Sequence, residues 1–177
     1  MLGKPTTPSA YISPSDWIKI GMDNRSLRAV VKQTMVTVFI GFILLIIILI
    51  ITAKFRLALI MLPISLYLIG QYFVLMNQIK LSRSLQLFYN PSTQDCKVLN
   101  SEGSAFTFNL DTDQMQVNAV KAVQKNNGLL LGYYTVKLTD RELVVPFILN
   151  QNSMNVNFFS KLDQRAKTGV SKLFPIH

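Results

Sequence analysis

From Thr37 to Met76 nearly every position is apolar, TVFIGFILLIIILIITAKFRLALIMLPISLYLIGQYFVLM, with one interruption at Lys54-Phe55-Arg56. Cut there, the apolar stretch gives residues 34–53 and 57–76, 20 residues each, and helices of that length rise about 30 Å, the thickness of a bilayer hydrocarbon core. A cation at the bilayer centre costs on the order of 3 kcal/mol or more, so the chain is expected to turn at a water interface between two spans. The pattern therefore predicts a transmembrane helical hairpin over residues 34–78. No charged side chain lies within either span, and an ion or solute pathway needs such groups to replace hydration. The hairpin alone is then an anchor, although it could line part of a conduit in a larger assembly. Of its polar positions, Thr37, Thr52, Ser65, Tyr67, Gln71 and Tyr72, only Gln71 is costly to leave unpaired, and it is expected to bond a neighbouring helix or headgroups. Pro63 is expected to kink the second helix. A cleaved signal segment fits poorly, because the first apolar helix starts only at residue 34, is too long and lacks a small-x-small site.

Beyond Asn77 the period changes from continuous to alternating. KLSRSLQLFYN (80–90), DCKVLN (95–100), SAFTFNLD (104–111), LLLGYYTVKL (129–138) and ELVVPFIL (142–149) read as strands separated by Asn-Pro, Asn-Ser-Glu-Gly, Asn-Asn-Gly and Thr-Asp-Arg turns. QMQVNAVKAVQK (114–125) starts with strand alternation but shifts parity at Val120, which fits a bulged strand or a short helix, the strand being favoured. Six strands in a meander can curl over a core if a helix plugs the open end. SMNVNFFSKLDQRAKT, capped by Asn152 or Ser153 and ended by Gly169, supplies that helix, with Val156, Phe159, Leu162 and Ala166 as its stripe.

Ahead of the hairpin, MLGKPTTPSAYI suits an irregular tail, and Ser13-Pro14-Ser15-Asp16 is a helix-start signal. The following WIKIGMDNRSLRAVVKQ predicts an amphipathic helix that either lies on the membrane surface, with Trp17 at headgroup level, or docks on a protein partner. The expected organisation is thus residues 1–33 as tail and interfacial helix, 34–78 as hairpin and 79–177 as a β-rich domain. The fold class is a membrane α-helical hairpin plus an α+β domain, an antiparallel meander or partly open barrel capped by one C-terminal helix.

Composition sharpens this picture in three ways. At 177 residues and 50% hydrophobic content, the chain holds one modest domain besides the membrane segment. Cys96 is the only cysteine, so an intrachain disulfide and a thiolate cluster are excluded, and Cys96 reads as packing. The net charge of +9 is densest beside the apolar run, which points to anionic lipid and away from nucleic acid. Lys19, Arg25, Arg28, Lys32, Lys80 and Arg83 flank the hairpin against Lys54 and Arg56 in its turn, so both termini are expected in the cytoplasm. With Trp17 these cations are the candidate membrane-interface residues.

Catalysis finds little support. His177 is the only histidine and stands at the end of the sequence, no Gly-rich phosphate loop occurs, and Asp111 and Asp113 in NLDTDQ lack the further oxygens of a calcium loop. A non-enzymatic protein without cofactor or metal is expected. Phe158, Lys161, Arg165, Leu173 and Phe174 are candidates for docking protein partners.

The order of elements resembles the membrane-anchored bacterial proteins with pleckstrin-homology-like domains, most of all in GYYTVKLTDRELVVPFILNQNSMNVNFFSKL, residues 132–162. The resemblance implies a PH-like domain on the cytoplasmic side of a bacterial inner membrane. Phosphoinositide-binding members of that superfamily use clustered cations between the first two strands, whereas NPSTQDCK offers Lys97 beside Asp95, so headgroup binding is not implied. Two functions are compatible with the sequence: an accessory or scaffold subunit whose cytoplasmic domain binds other subunits of a membrane complex, or a module that contacts anionic headgroups through its juxtamembrane cations.

Overall fold

A computed structural model describes residues 16–52, 55–99, 105–126 and 129–177. Its elements run β1 (Ile18–Ile20), α1 (Asn24–Thr52), α2 (Phe55–Ser84), β2 (Gln86–Tyr89), β3 (Asp95–Leu99), β4 (Ala105–Asn109), β5 (Gln116–Asn126), β6 (Leu129–Lys137), β7 (Glu142–Pro146), α3 (Val156–Arg165) and β8 (Ala166–Lys172). Two short 3-10 turns, Phe147–Gln151 and Ser153–Asn155, join β7 to α3.

The two long helices form an antiparallel pair and are long and apolar enough to cross a membrane over Leu27–Ile51 and Leu62–Ser84. Asp23 starts α1, accepting the Arg25 amide on its carboxylate at 3.3 Å and the Leu27 amide on its carbonyl at 3.0 Å. With 29 and 30 residues, each helix extends about 44 Å and exceeds the roughly 30 Å apolar slab. α2 continues through residues 80–84, where alternation suggested a strand. The helix wins because Ile79 and Ser82 are buried, Ser82 Oγ donates to the Gln78 carbonyl at 2.6 Å, and Arg83 complements the carboxyl end of the dipole. The strand is confined to Gln86–Tyr89. Pro63 lies within α2 without ending it.

The predicted interfacial helix before the hairpin is corrected over its first turns. Trp17-Ile18-Lys19-Ile20 has the period of a strand, and β1 pairs antiparallel with β2, Ile18 opposite Tyr89 and Ile20 opposite Leu87. Ile20 is fully buried while Lys19 points outward. Only the part from Asn24 is helical, and it belongs to α1. The hairpin is thus inserted into a sheet between two paired strands.

The predicted meander is also corrected. Among the described residues two four-stranded sheets form, ordered β1-β2-β3-β4 and β7-β6-β5-β8. β8 is the element the sequence pattern did not suggest: the chain leaves α3 at Ala166 in an extended conformation and runs parallel to β5. Residues 116–126 form a strand throughout. The β5 segment from Lys121 to Lys125 spans the same interval as the shorter segment from Gly132 to Leu130 on β6, the irregularity that the parity change at Val120 signalled. Gly132 sits at φ +146 with the Val120 carbonyl where a Cβ would go, so only glycine fits there.

The second sheet is buried on both faces. One face packs on the first sheet and α3 in a core that includes Leu87, Tyr89, Cys96, Phe108, Val136, Val145, Phe158, Phe159 and Leu162. The other packs on the helical pair through Leu27, Val74, Leu75, Ile79, Ala122, Leu129, Leu131 and Ile148. That double burial explains why LLLGYYTV reads as an unbroken apolar run. Phe158 lies in the first of these cores, edge-on to Tyr89 and Phe159, which removes it from the docking candidates. Phe158→Ala should lower domain stability by about 3–5 kcal/mol, read from the denaturant midpoint of the detergent-solubilised chain; an unchanged midpoint would contradict this packing.

Candidate functional site

Three places gather the side chains that carry chemistry. The first is an open cleft of about 390 Å³ where β1, the start of α1, the last turn of α2 and the start of β2 meet. Its wall includes Lys19, Asn24, Ser82, Arg83, Gln86 and Asn152 and, among the described residues, no carboxylate. β1 presents Lys19 opposite the buried Ile20, and the register of α2 turns Arg83 away from buried Ser82. The cleft is braced from below. Asn152 and Asn155 both donate side-chain amides to the Gly21 carbonyl at 3.0 Å, and Asn155 also donates to the Leu149 carbonyl at 2.7 Å. Two cations with amide and hydroxyl neighbours suit a carboxylate or another anionic group. Lys19 and Arg83, 64 positions apart in sequence, come together only because β1 pairs with β2.

The second place is the exposed side of α3, where the structure ties down the predicted docking cations. Lys161 Nζ pairs with Asp111 at 3.3 Å. Arg165 donates to the Asp113 carbonyl at 3.2 Å and to the Asp111 carbonyl. The β4–β5 turn that receives them is closed by its own side chains. Asn109 Oδ1 accepts the amides of Asp111 and Thr112 at 2.8 and 3.0 Å, and Asp113 Oδ2 accepts the Asn109 amide at 2.8 Å. Lys161 and Arg165 hold α3 to this turn.

The third place is the contact of the last residues with α2. Gln71 donates to the Leu173 carbonyl at 3.5 Å, Gln78 to the Pro175 carbonyl at 3.1 Å, and Asn77 to the His177 carbonyl at 3.5 Å. Phe174 packs over Gly70 with its ring 6.0 Å from that of Tyr67, so it is an internal contact, whereas Leu173 is exposed. The expectation that Gln71 bonds another helix or headgroups is replaced by this bond to the chain's own tail. Tyr67 OH donates to Gln124 Oε1 of β5 at 3.0 Å. The amide spacing Gln71 and Gln78 on one helix face was the visible signal, but its partner, an irregular tail, carries no pattern.

Of the predicted interface residues, Arg25, Arg28 and Lys32 are exposed along the first turns of α1, and Lys80 and Arg83 along the last turns of α2. Trp17 is half-buried just before β1. Lys54 lies outside the described residues, and Arg56 falls in the first turn of α2.

Among the described residues no group of three or more His, Cys, Asp or Glu could hold a metal ion. Cys96 is fully buried, and burial with the neighbouring Asp95 pushes its thiol far up, which disfavours the nucleophilic thiolate. The Tyr134 phenol donates to Asp163 of α3, and burial first, then that bond, raises its pKa well above 10. A raised tyrosine pKa stabilises the fold fully below the unfolded value near 10 and is lost as pH rises above it. Tyr134→Phe should therefore cost about 1 kcal/mol at neutral pH and flatten the fall of melting temperature above about pH 10. Parallel alkaline melting curves for the two proteins would exclude this contribution.

Comparisons with family models, with curated protein sequences and with solved structures return no match.

Proposed function

We propose that the chain is a non-enzymatic, hairpin-anchored accessory or scaffold subunit of a membrane complex, presenting a PH-like β-domain to protein partners on the cytoplasmic side. One observation carries this reading: α2 runs unbroken from its apolar half into the β-domain, where Val74 and Leu75 are fully buried. The domain is then a rigid extension of the anchor. A protein that holds partners at a fixed place needs such rigidity, and a tethered soluble module would not.

The cleft at Lys19 and Arg83 is the docking surface this reading favours. Along α2, Arg83 is 12 positions past Gln71, about 18 Å of helix rise, and Arg25 is about 14 Å below Thr34 on α1 by the same measure. The headgroup layer is only some 5–8 Å deep. Lys19, Arg25, Lys80 and Arg83 therefore sit beyond it and are free to meet an acidic partner segment, while Arg28 and Lys32 remain close to the lipid surface.

A photo-crosslinking residue placed at Lys19 should give one discrete protein adduct in membranes of the cells that make this chain. Arg83→Glu should reduce that adduct at least about tenfold, the cost of one reversed charge-assisted contact, without changing how much chain is inserted. If the chain migrates alone after mild solubilisation and the probe captures lipid only, the scaffold reading fails.

A further inference from the structure

The end of the second sheet that lies nearest the middle of α2 has a composition the scaffold reading does not use. β5 and β8 run in parallel towards that level of the helix, with Ala122 opposite Lys172. That pair is the last of the ladder: Val123 follows Ala122 on β5, and Leu173 follows Lys172 where β8 ends. Both are large apolar side chains left more than half exposed, 59% and 53%, and exposed Lys125 and Lys172 flank them. Exposed valine and leucine at a strand end ringed by lysine are an unfavourable surface in water and a favourable one at a lipid boundary.

The depth of this surface is fixed by bonds. Gln124, next to Val123, accepts the Tyr67 hydroxyl at 3.0 Å, and the Leu173 carbonyl accepts Gln71 one helical turn on. The level of the bilayer boundary follows from the helices. On α1 the exposed apolar series begins at Met35, just after exposed Lys32. On α2 exposed Phe73 and half-buried Tyr72 stand where aromatic side chains favour the interface. From Met35 to Thr52 and from Phe55 to Tyr72 each segment rises about 27 Å, close to the apolar thickness of a membrane. The count along α2 puts the boundary at Tyr72, so the strand ends are fastened at that level by Gln71 and about 8 Å to its apolar side by Tyr67.

We propose that this end of the second sheet, Val123, Lys125, Lys172 and Leu173, is a membrane-docking surface that seats the β-domain on anionic lipid, the two apolar side chains entering the interface and the two lysines meeting headgroups. The proposal rests on the hairpin being inserted, and extends the anchor from two helices to a third point of contact. It uses none of the cations that flank the hairpin in sequence.

The test uses the full chain in nanodiscs of mixed phosphatidylglycerol and phosphatidylcholine containing spin-labelled lipid. Single environment-sensitive fluorophores are attached through Val123→Cys, Leu173→Cys, Ile47→Cys on the exposed face of α1 and Thr107→Cys on the far sheet. The native Cys96 is buried and stays unlabelled. Lipid quenching at 123 and 173 should approach that at 47 and exceed that at 107. Lys125→Glu with Lys172→Glu should weaken seating by about fivefold per lysine and lower quenching at 123 and 173 with no change at 47. If either strand-end label behaves like the one at 107 while 47 is quenched, the docking surface is overturned and the anchor stands. Absence of quenching at 47 as well would overturn the anchor reading itself. Charge reversal without effect would overturn the recognition of headgroups.

Discussion

The packing of the carboxyl-terminal half of α2 against β6 is the contact on which the rest depends. Val74, Leu75 and Ile79 meet Leu129, Leu131 and Ile148, and each such side chain, fully buried, contributes about 1.5–3 kcal/mol. Because β6 is central and its opposite face builds the main core, the helix and the β-domain form one body. The pairing of β1 with β2 follows from it. Ile18 and Tyr89 are 71 positions apart, and closing a flexible loop of that length carries a large entropic cost. The intervening chain is not flexible: two antiparallel helices return it to its starting point, so the strands before and after the hairpin arrive already close together.

Buried amides on an apolar helix are the second constraint. An unpaired amide in an apolar setting costs on the order of 1–3 kcal/mol, and Gln71 and Gln78 are both nearly inaccessible. Their nitrogen atoms are used by the carbonyls of Leu173 and Pro175, carbonyls that an irregular, proline-containing tail cannot satisfy within itself. Helix and tail thus supply complementary donors and acceptors, and the tail in turn covers Gly70 with Phe174. The amide oxygens of Gln71, Gln78 and Asn155 have no protein partner among the described residues.

Much of this was legible because the relevant patterns are local. The helical pair and β6 stand out as apolar runs, β3, β4, β7 and the core of α3 each show an apolar period that nothing nearby contradicts, and the bulge in β5 announced itself at Val120. Three elements were hidden for physical reasons. Ile18–Ile20 is a three-residue strand beside a strong helix former, and its strand state depends on β2, which lies beyond the hairpin. LSRSLQL fits both periods, and burial of Ile79 and Ser82 against the second sheet decides for helix. AKTGVSK forms an edge strand whose described side chains are largely exposed, so burial leaves no alternation in it. The docking candidates divided along the same line: Lys161 and Arg165 look free on a helical wheel and are engaged by a turn 50 positions away, whereas the Lys19–Arg83 cleft cannot be seen until β1 is placed.

The two proposed surfaces stand at opposite ends of the stretch of α2 from Gln71 to Arg83, about 18 Å by helix rise. At physiological ionic strength charges are screened over about 8 Å, so anionic lipid at the Lys125 and Lys172 end would leave the field around Lys19 and Arg83 almost unchanged. Orientation and recognition could then be tuned separately on one rigid body. A third contact with the bilayer would also stop the domain from rotating about the hairpin axis, holding the cleft at a constant height and heading. For a partner that is itself embedded in the membrane, this converts a search in three dimensions into one in two, with the cleft already turned to face along the bilayer plane.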